Sequence, residues 1–380
     1  MNAPEPRDNA AALERYLLDA RFSQSFTLPP GSDRPEPFTV TYSDYGYRNQ
    51  DEPSQENVLL FCGPLLSTRF LHVAKDELAK RYRVRIIHPD RPGMGGTTDT
   101  EAKASLRVWL DIVSALLQHL GVSKISLACH SAGTIYALHT ALHLRHLLHP
   151  DRPYIALCGP WVHPEHSGTK LMELSNALPV AILSRFDGVV SIVRSSVLPV
   201  VGFSDVLLSS LVPKWAQRTP PPIQTADTEM VKFEKKLQPQ VLKHAYAENY
   251  KGMSQDVLLL LKKHIPANPE GEEGWGDWGD VDKYVPMLAE REEERRRREQ
   301  HSDLSSHQLE VEVFFAKSDH MIGNTTGPQW FRDCWRPEQR GRAIGFQSHV
   351  VEGADHDSLL DIRHGVAEEI FRKISGIGGD

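Results

Sequence analysis

A serine, a histidine and a carboxylate stand in this chain at positions where the three could act as one nucleophilic device. Residues 124–137 read KISLACHSAGTIYA. An apolar run of strand length ends at Cys129-His130-Ser131-Ala132-Gly133 and passes straight into a helical pattern. A tight strand-to-helix turn lifts a serine hydroxyl clear of a sheet and sets it at a helix N-terminus, where free N–H groups favour a developing anion. Such a turn needs small neighbours. Gly133 fits the second glycine of a G-x-S-x-G pattern, and Cys129 stands where the first would be. A lone serine before a helix is otherwise an N-cap, so the reading of Ser131 as nucleophile depends on partners downstream.

A serine hydroxyl is too weakly acidic to attack unaided and needs a base that a carboxylate orients. Among 18 histidines, His356 is the best placed, in VEGADHDSLL at 351–360. There a strand ends, a glycine-containing loop follows, and a helical pattern begins. Asp355 and Asp357 are sequence neighbours that cannot easily face the His356 ring, and Asp357 is expected to cap the following helix. Asp319, just past the strand-like VEVFFA at 311–316, is the expected orienting acid. Its alternative is a turn aspartate. His130 should point away from Ser131 and line the pocket.

An acyl-transfer site also needs donors for the oxyanion. The backbone N–H of Ala132 is the expected first donor. The second should come from the loop after an early strand, Phe61-Cys62-Gly63-Pro64-Leu65-Leu66-Ser67. Pro64 has no N–H. Either Leu65 donates through a shifted loop, or the hole lacks a donor, a loss that typically costs about 10²–10³ in rate. Cys62 and Gly63 are expected to line the pocket.

The elements that must position these residues follow from periodicity. Strands are expected at 38–46, 57–62, 83–88, 124–129, 153–158, 309–316 and 346–351. Helices are expected at 70–81, 104–120, 131–148, 327–335 and 357–373. Apolar runs alternating with helix-length segments imply a mostly parallel sheet with helices on both faces. The alternation stops between about 165 and 305. The simplest organisation is a polar arm with a short amphipathic helix at 1–37, an α/β core at 38–164 and 306–380, and a helical cap inserted at 165–305. Within the insert, ALPVAILSRFDGVVSIVRSSVLPVVGF at 177–203 reads as a cap over the pocket, with a lipid-facing lid as the alternative. NPEGEEGWGDWGDVD at 268–282 reads as an exposed acidic loop. LAEREEERRRREQ at 288–300 reads as a solvated helix laced with i,i+4 pairs, with a basic docking patch as the alternative.

Composition narrows the rest. The 380 residues are 40% hydrophobic and 24% charged, an ordinary globular balance. A net charge of -7 argues against nucleic acid, which needs a basic surface. No apolar run reaches a membrane span, and the first residues lack a signal-peptide layout, so a cytoplasmic protein is expected. Cys62, Cys129, Cys158 and Cys334 form no metal spacing and should be free thiols, the first three clustered at strand ends under the site. His139, His143 and His146 recur at helical spacing without a carboxylate and read as an exposed face. No metal or cofactor is expected.

HPDRPGMGGT at 88–97, ACHSAGT at 128–134 and GADHDSLL at 353–360 together resemble the α/β-hydrolase superfamily. DRPGMG with CHSAG is similar to serine-dependent members common in filamentous fungi, some of them in secondary-metabolite clusters. The resemblance spans 38–165 and 305–375. It implies the α/β-hydrolase fold, the triad order Ser131, Asp319, His356, and a small-molecule ester, lactone, thioester or C–C substrate. Many such proteins carry His-Gly where Cys62-Gly63 stand here. Serine at the elbow argues against the epoxide hydrolases and haloalkane dehalogenases, which use aspartate there. Two other outcomes fit the same residues: a non-hydrolytic acyl transferase or cyclase, and a binding protein with a vestigial triad.

Overall fold

A computed structural model describes residues 10–30, 36–187, 228–263, 281–300 and 307–377. Eight strands form one sheet: β1 (Gln24–Leu28), β2 (Phe38–Gly46), β3 (Asn57–Cys62), β4 (Val84–Pro89), β5 (Ser126–His130), β6 (Tyr154–Cys158), β7 (Leu309–Ser318) and β8 (Ile344–Asp355). Their spatial order is β1-β2-β4-β3-β5-β6-β7-β8. Pairings from β4 to β8 are parallel, and β2 is antiparallel to β1 and β4. The sheet therefore begins at β1, inside the stretch read from sequence as an arm. The alternation in Gln24–Leu28 is short, and its partner β2 supplies the ladder that fixes it.

Among the described residues, the helices of six or more residues are α1 (Ala10–Leu17), α2 (Asp76–Arg81), α3 (Ser105–His119), α4 (Gly133–His143), α5 (Lys170–Ala177), α6 (Thr228–Ala247), α7 (Lys251–Leu260), α8 (Val281–Gln300), α9 (Thr326–Cys334) and α10 (Val366–Ser375). One sheet face packs on α3, α4 and α8 through Leu106, Trp109, Val113, Leu116, Tyr136, Val285 and Leu288. The other packs on α1, α2 and α10 through Leu13, Leu78, Ile370 and Phe371. Apolar residues at i, i+3, i+4 and i+7 give α3 its single buried stripe. The central strands β3 to β6 carry apolar residues on both sides because both faces are covered.

The chain moves from β3 to β4 in one direction and then returns to place β5 on the other side of β3. This reversal opens a crevice beyond the carboxyl ends of β3 and β5, where ligands bind in open α/β sheets. Ser131 and the loop at 63–67 both lie there.

Three expectations are corrected. The helix expected at 357–373 starts only at Val366, after a 3₁₀ turn at Ile362–His364, because Gly365 sits at φ +74° and interrupts it. Asp357 is therefore no helix cap. Of the three histidines expected on an exposed face, His146 is exposed but His139 is covered: the Tyr284 hydroxyl of α8 bonds His139 Nδ1, and burial lowers that imidazole to about 3. Helix α8 is only half solvated. Its Glu292 is fully buried and clamped by Arg145 and Arg295. It lies against the α4 face of the sheet and adds a layer to the core. Most of the apolar stretch at 177–203 and nearly all of the acidic stretch at 268–282 lie outside the described residues. No helix among the described residues is long and apolar enough to cross a membrane.

Candidate active site

The turn after β5 puts Ser131 at φ +52°, in the left-handed region that side chains with a Cβ rarely occupy. Holding a residue there costs on the order of 1–3 kcal/mol and requires surrounding structure that over-determines it. Here the Ser131 N–H donates to the Cys158 carbonyl at 3.0 Å, and the Ser131 carbonyl accepts from Thr134 N–H at 2.9 Å and Thr134 Oγ1 at 2.7 Å. Gly133 is required by space. A Cβ there would stand 2.0 Å from the Cys62 carbonyl oxygen, because α4 starts directly against the end of β3. Cys129 is tolerated in place of the first glycine because its side chain turns down into the core, toward Thr134 Oγ1.

His356 closes over this serine from the loop after β8. Its Nε2 lies 2.9 Å from Ser131 Oγ, and its Nδ1 lies 2.8 Å from Asp319 Oδ2. A carboxylate only accepts, so Nδ1 carries the proton and Nε2 presents its lone pair to the hydroxyl. The other oxygen of Asp319 accepts from the backbone N–H groups of Met321 and Ile322 at 2.8 and 2.9 Å. Burial would raise Asp319, but the His356 charge and these hydrogen bonds outweigh it and hold the carboxyl below its usual range. Burial would lower His356, but the charge and hydrogen bond of Asp319 outweigh it and raise the imidazole above 6.5.

His130 lies at the cavity wall and also makes a contact that sequence reading missed. Its Nε2 donates to the His356 backbone carbonyl at 2.8 Å, fixing the height of the histidine loop. Burial lowers His130 to about 3, so it stays neutral across the physiological range. The carbonyl acceptor was not foreseeable, since it comes from a loop 226 positions away.

Ala132 is the N-cap residue of α4, and Leu65 borders the cavity beside Ser131. Among the described residues, no backbone acceptor takes the N–H of either. Cys62 and Gly63 do not line the cavity, contrary to expectation. The Cys62 side chain points into the core under α4. Gly63 is enclosed by Ser67 and His88, which a Cβ would strike at 2.3 and 2.7 Å. All four cysteines are buried free thiols. Cys62 and Cys129 pair directly across β3 and β5 and share a face. Cys158 pairs with His130 and lies on the opposite face, so the expected cluster of three is a pair. The two-residue repeat of the strand decides this.

The cavity above Ser131 measures about 240 Å³. Its wall is mainly apolar, including Leu65, Trp161, Met172, Phe186, Leu242 and Leu260. At one side lies a buried ionic group that sequence reading missed. Lys75 Nζ donates to Glu234 Oε1 at 2.8 Å and lies 3.2 Å from His72 Nδ1. Glu234 Oε2 accepts from Ile362 N–H at 2.7 Å, joining α6 to the segment after His356. Asp361 borders the same cavity, and burial together with the Glu234 charge raises it to about 7. Glu234 sits in a charged helix with nothing in its sequence to mark it.

The arrangement of sheet, elbow and histidine loop places the fold among α/β hydrolases. A model of the alpha/beta hydrolase family matches residues 59–369, and the chain belongs to that family. A search of curated proteins finds no match. Among solved structures, the enol-lactonase from Burkholderia xenovorans LB400 is similar over 89% of this chain and 97% of its own, with TM-score 0.53 and 11% identity. A thermophilic esterase from Thermogutta terrifontis is similar over 93% and 99%, with TM-score 0.51 and 17% identity. A structure from a study of carboxylesterases of Nitrososphaera gargenis is similar over 91% and 95%, with TM-score 0.51 and 15% identity. At these identities the likeness speaks to the fold.

Proposed function

We propose that this chain is a serine hydrolase that cleaves a neutral ester, lactone or thioester of a medium-sized, largely apolar compound through an acyl-enzyme. The observation that carries this reading is the unbroken hydrogen-bond chain Ser131 Oγ, His356 Nε2, His356 Nδ1, Asp319 Oδ2 at the floor of an apolar cavity. Ser131 Oγ attacks the carbonyl carbon while His356 Nε2 takes its proton. The negative oxygen that forms is held by the N–H groups of Ala132 and Leu65. His356 then returns the proton to the leaving alcohol or thiol, and water repeats the sequence on the acyl-enzyme. Asp319 stays ionised and balances the imidazolium.

The size and lining of the cavity support this choice of substrate class. A 150 Å³ apolar cavity holds benzene, so about 240 Å³ holds on the order of ten heavy atoms. Lys75 is neutralised by Glu234, and Asp361 adds acidity, so the cavity favours neutral acyl groups over those ending in a carboxylate. Hydrolysis of p-nitrophenyl esters should peak in kcat/KM near an eight- to ten-carbon acyl chain. An ω-carboxylate of equal length should be slower by tenfold or more. A series that peaks at acetate, or that tolerates the carboxylate, contradicts the cavity assignment. Acyl transfer is the second reading, favoured by the same apolar walls. Product analysis with a medium-chain alcohol present separates the two, since transfer yields a new ester.

The rate should rise with pH, because only neutral His356 accepts the serine proton. Its raised pKa sets the midpoint of kcat/KM above 6.5, with activity lost as pH falls through it. Asp361, raised to about 7, also titrates between pH 5 and 8. The limb that persists in Asp361→Asn therefore belongs to His356. A profile flat from pH 5 to 8 in that variant, with chemistry rate-limiting, excludes His356 as the base.

A further inference from the structure

We propose that Arg91 is a positioning residue for the second oxyanion donor, and that it makes this donor depend on the inserted helix α7. The proposal rests on the serine-hydrolase reading above. Arg91 belongs to the Asp90-Arg91-Pro92-Gly93 turn after β4. Its buried guanidinium donates through Nη1 to the Gly63 carbonyl, and through Nη2 to the carbonyls of Pro64 at 2.7 Å and Leu65 at 2.9 Å. Three successive carbonyls turn to one cation, and the Pro64 carbonyl also accepts from the Ser67 N–H at 3.0 Å, so Arg91 and this turn together fix the peptide planes.

The direction of the donors follows from peptide geometry. In a trans peptide the C=O and the next N–H point in opposite senses, and none of the described peptides is cis. With the Pro64 carbonyl on Arg91, the Leu65 N–H faces away from Arg91. Pro64, Leu65 and Leu66 border the cavity that holds Ser131. Pro64, which costs this loop the usual donor, stiffens the backbone just before the substitute.

A buried guanidinium needs a carboxylate, and the insert supplies it. Arg91 Nε donates to Asp256 Oδ2 at 2.7 Å, and Asp256 Oδ1 accepts from the Tyr136 hydroxyl. Asp256 lies on α7, which docks backbone to backbone on the Arg91 turn. The Gly252 N–H donates to the Gly93 carbonyl at 2.9 Å, and a Cβ at Gly252 would stand 2.0 Å from the Pro92 carbonyl oxygen. Helix α7 thus reaches the oxyanion loop through the Asp256–Arg91 ion pair, beside the apolar packing of Met253 with Leu65 and Leu66.

Arg91→Lys keeps the charge opposite Asp256 but has no planar fork to span three carbonyls. In the full chain, it should lower kcat on a p-nitrophenyl ester by about 10²-fold, the loss of one oxyanion donor, with KM within about threefold. Affinity for an alkyl boronic acid, whose tetrahedral adduct needs the hole, should fall by a similar factor. Affinity for the matching alkyl amide, a ground-state ligand, should hold. If Arg91→Lys lacks wild-type circular dichroism and Tm, Asp256→Asn replaces it and should show the same split at about tenfold. Unchanged kcat in the folded variant, or a loss carried by KM with boronate affinity intact, overturns the proposal. A wild-type chain with neither turnover nor fluorophosphonate labelling at Ser131 overturns the hydrolase reading instead.

Discussion

Replacing Ser131 by alanine should remove ester turnover, lowering kcat by on the order of 10⁵–10⁶, the scale seen when a triad serine is deleted. The fold should survive. Ser131 Oγ donates its proton toward His356, and losing one such bond costs about 0.5–1.5 kcal/mol. Alanine meets the same backbone constraint at φ +52° as serine, whereas glycine relieves it. Ser131→Gly should therefore be as inactive as Ser131→Ala yet melt at a higher temperature. Active-site titration with a fluorophosphonate, paired with thermal melts of all three proteins, checks both parts. Substantial turnover in the alanine variant would remove Ser131 from the mechanism, whatever its melting point.

Asp319→Asn should lower kcat by roughly 10³–10⁴, and the local hydrogen bonds say why. The backbone N–H groups of Met321 and Ile322 both donate to Asp319 Oδ1. In the asparagine variant they hold the amide oxygen in that place, so the NH₂ group faces His356 Nδ1. That nitrogen must then accept. The ring proton moves to Nε2, and the lone pair that should take the serine proton is gone. The residual rate should climb with hydroxide concentration, since solvent base replaces the lost acceptor. A loss under tenfold, or a dominant effect from Asp355→Asn or Asp357→Asn instead, would mean that another carboxylate orients the histidine. Asp355 bonds Ser358, which argues for a turn-stabilising role there.

Ser131 and Gly133 were legible in sequence because the elbow is local: a strand, a tight turn and a helix within fifteen residues impose their own chemistry on each position. His356 and Asp319 were legible because each follows a strand, and parallel strands deliver their carboxyl ends to one edge. The alternation of apolar runs and helical segments likewise determined the class of sheet, since a strand covered on both faces needs apolar residues on both. Tertiary structure alone decided the rest. Which face a strand-end cysteine occupies depends on register, so Cys158 parted from Cys62 and Cys129. Whether a histidine stripe is wet depends on what lies above it, and α8 covered His139 from about 145 residues downstream. The oxyanion loop shows the limit most clearly. Pro64 showed in sequence that one N–H is missing from this loop, but the Arg91 contacts to the carbonyls of Pro64 and Leu65, and the pairing of Arg91 with Asp256 of α7, could be read only from the folded chain. Backbone orientation and long-range charge pairing leave no periodic trace, because they depend on atoms brought together only when the chain has folded.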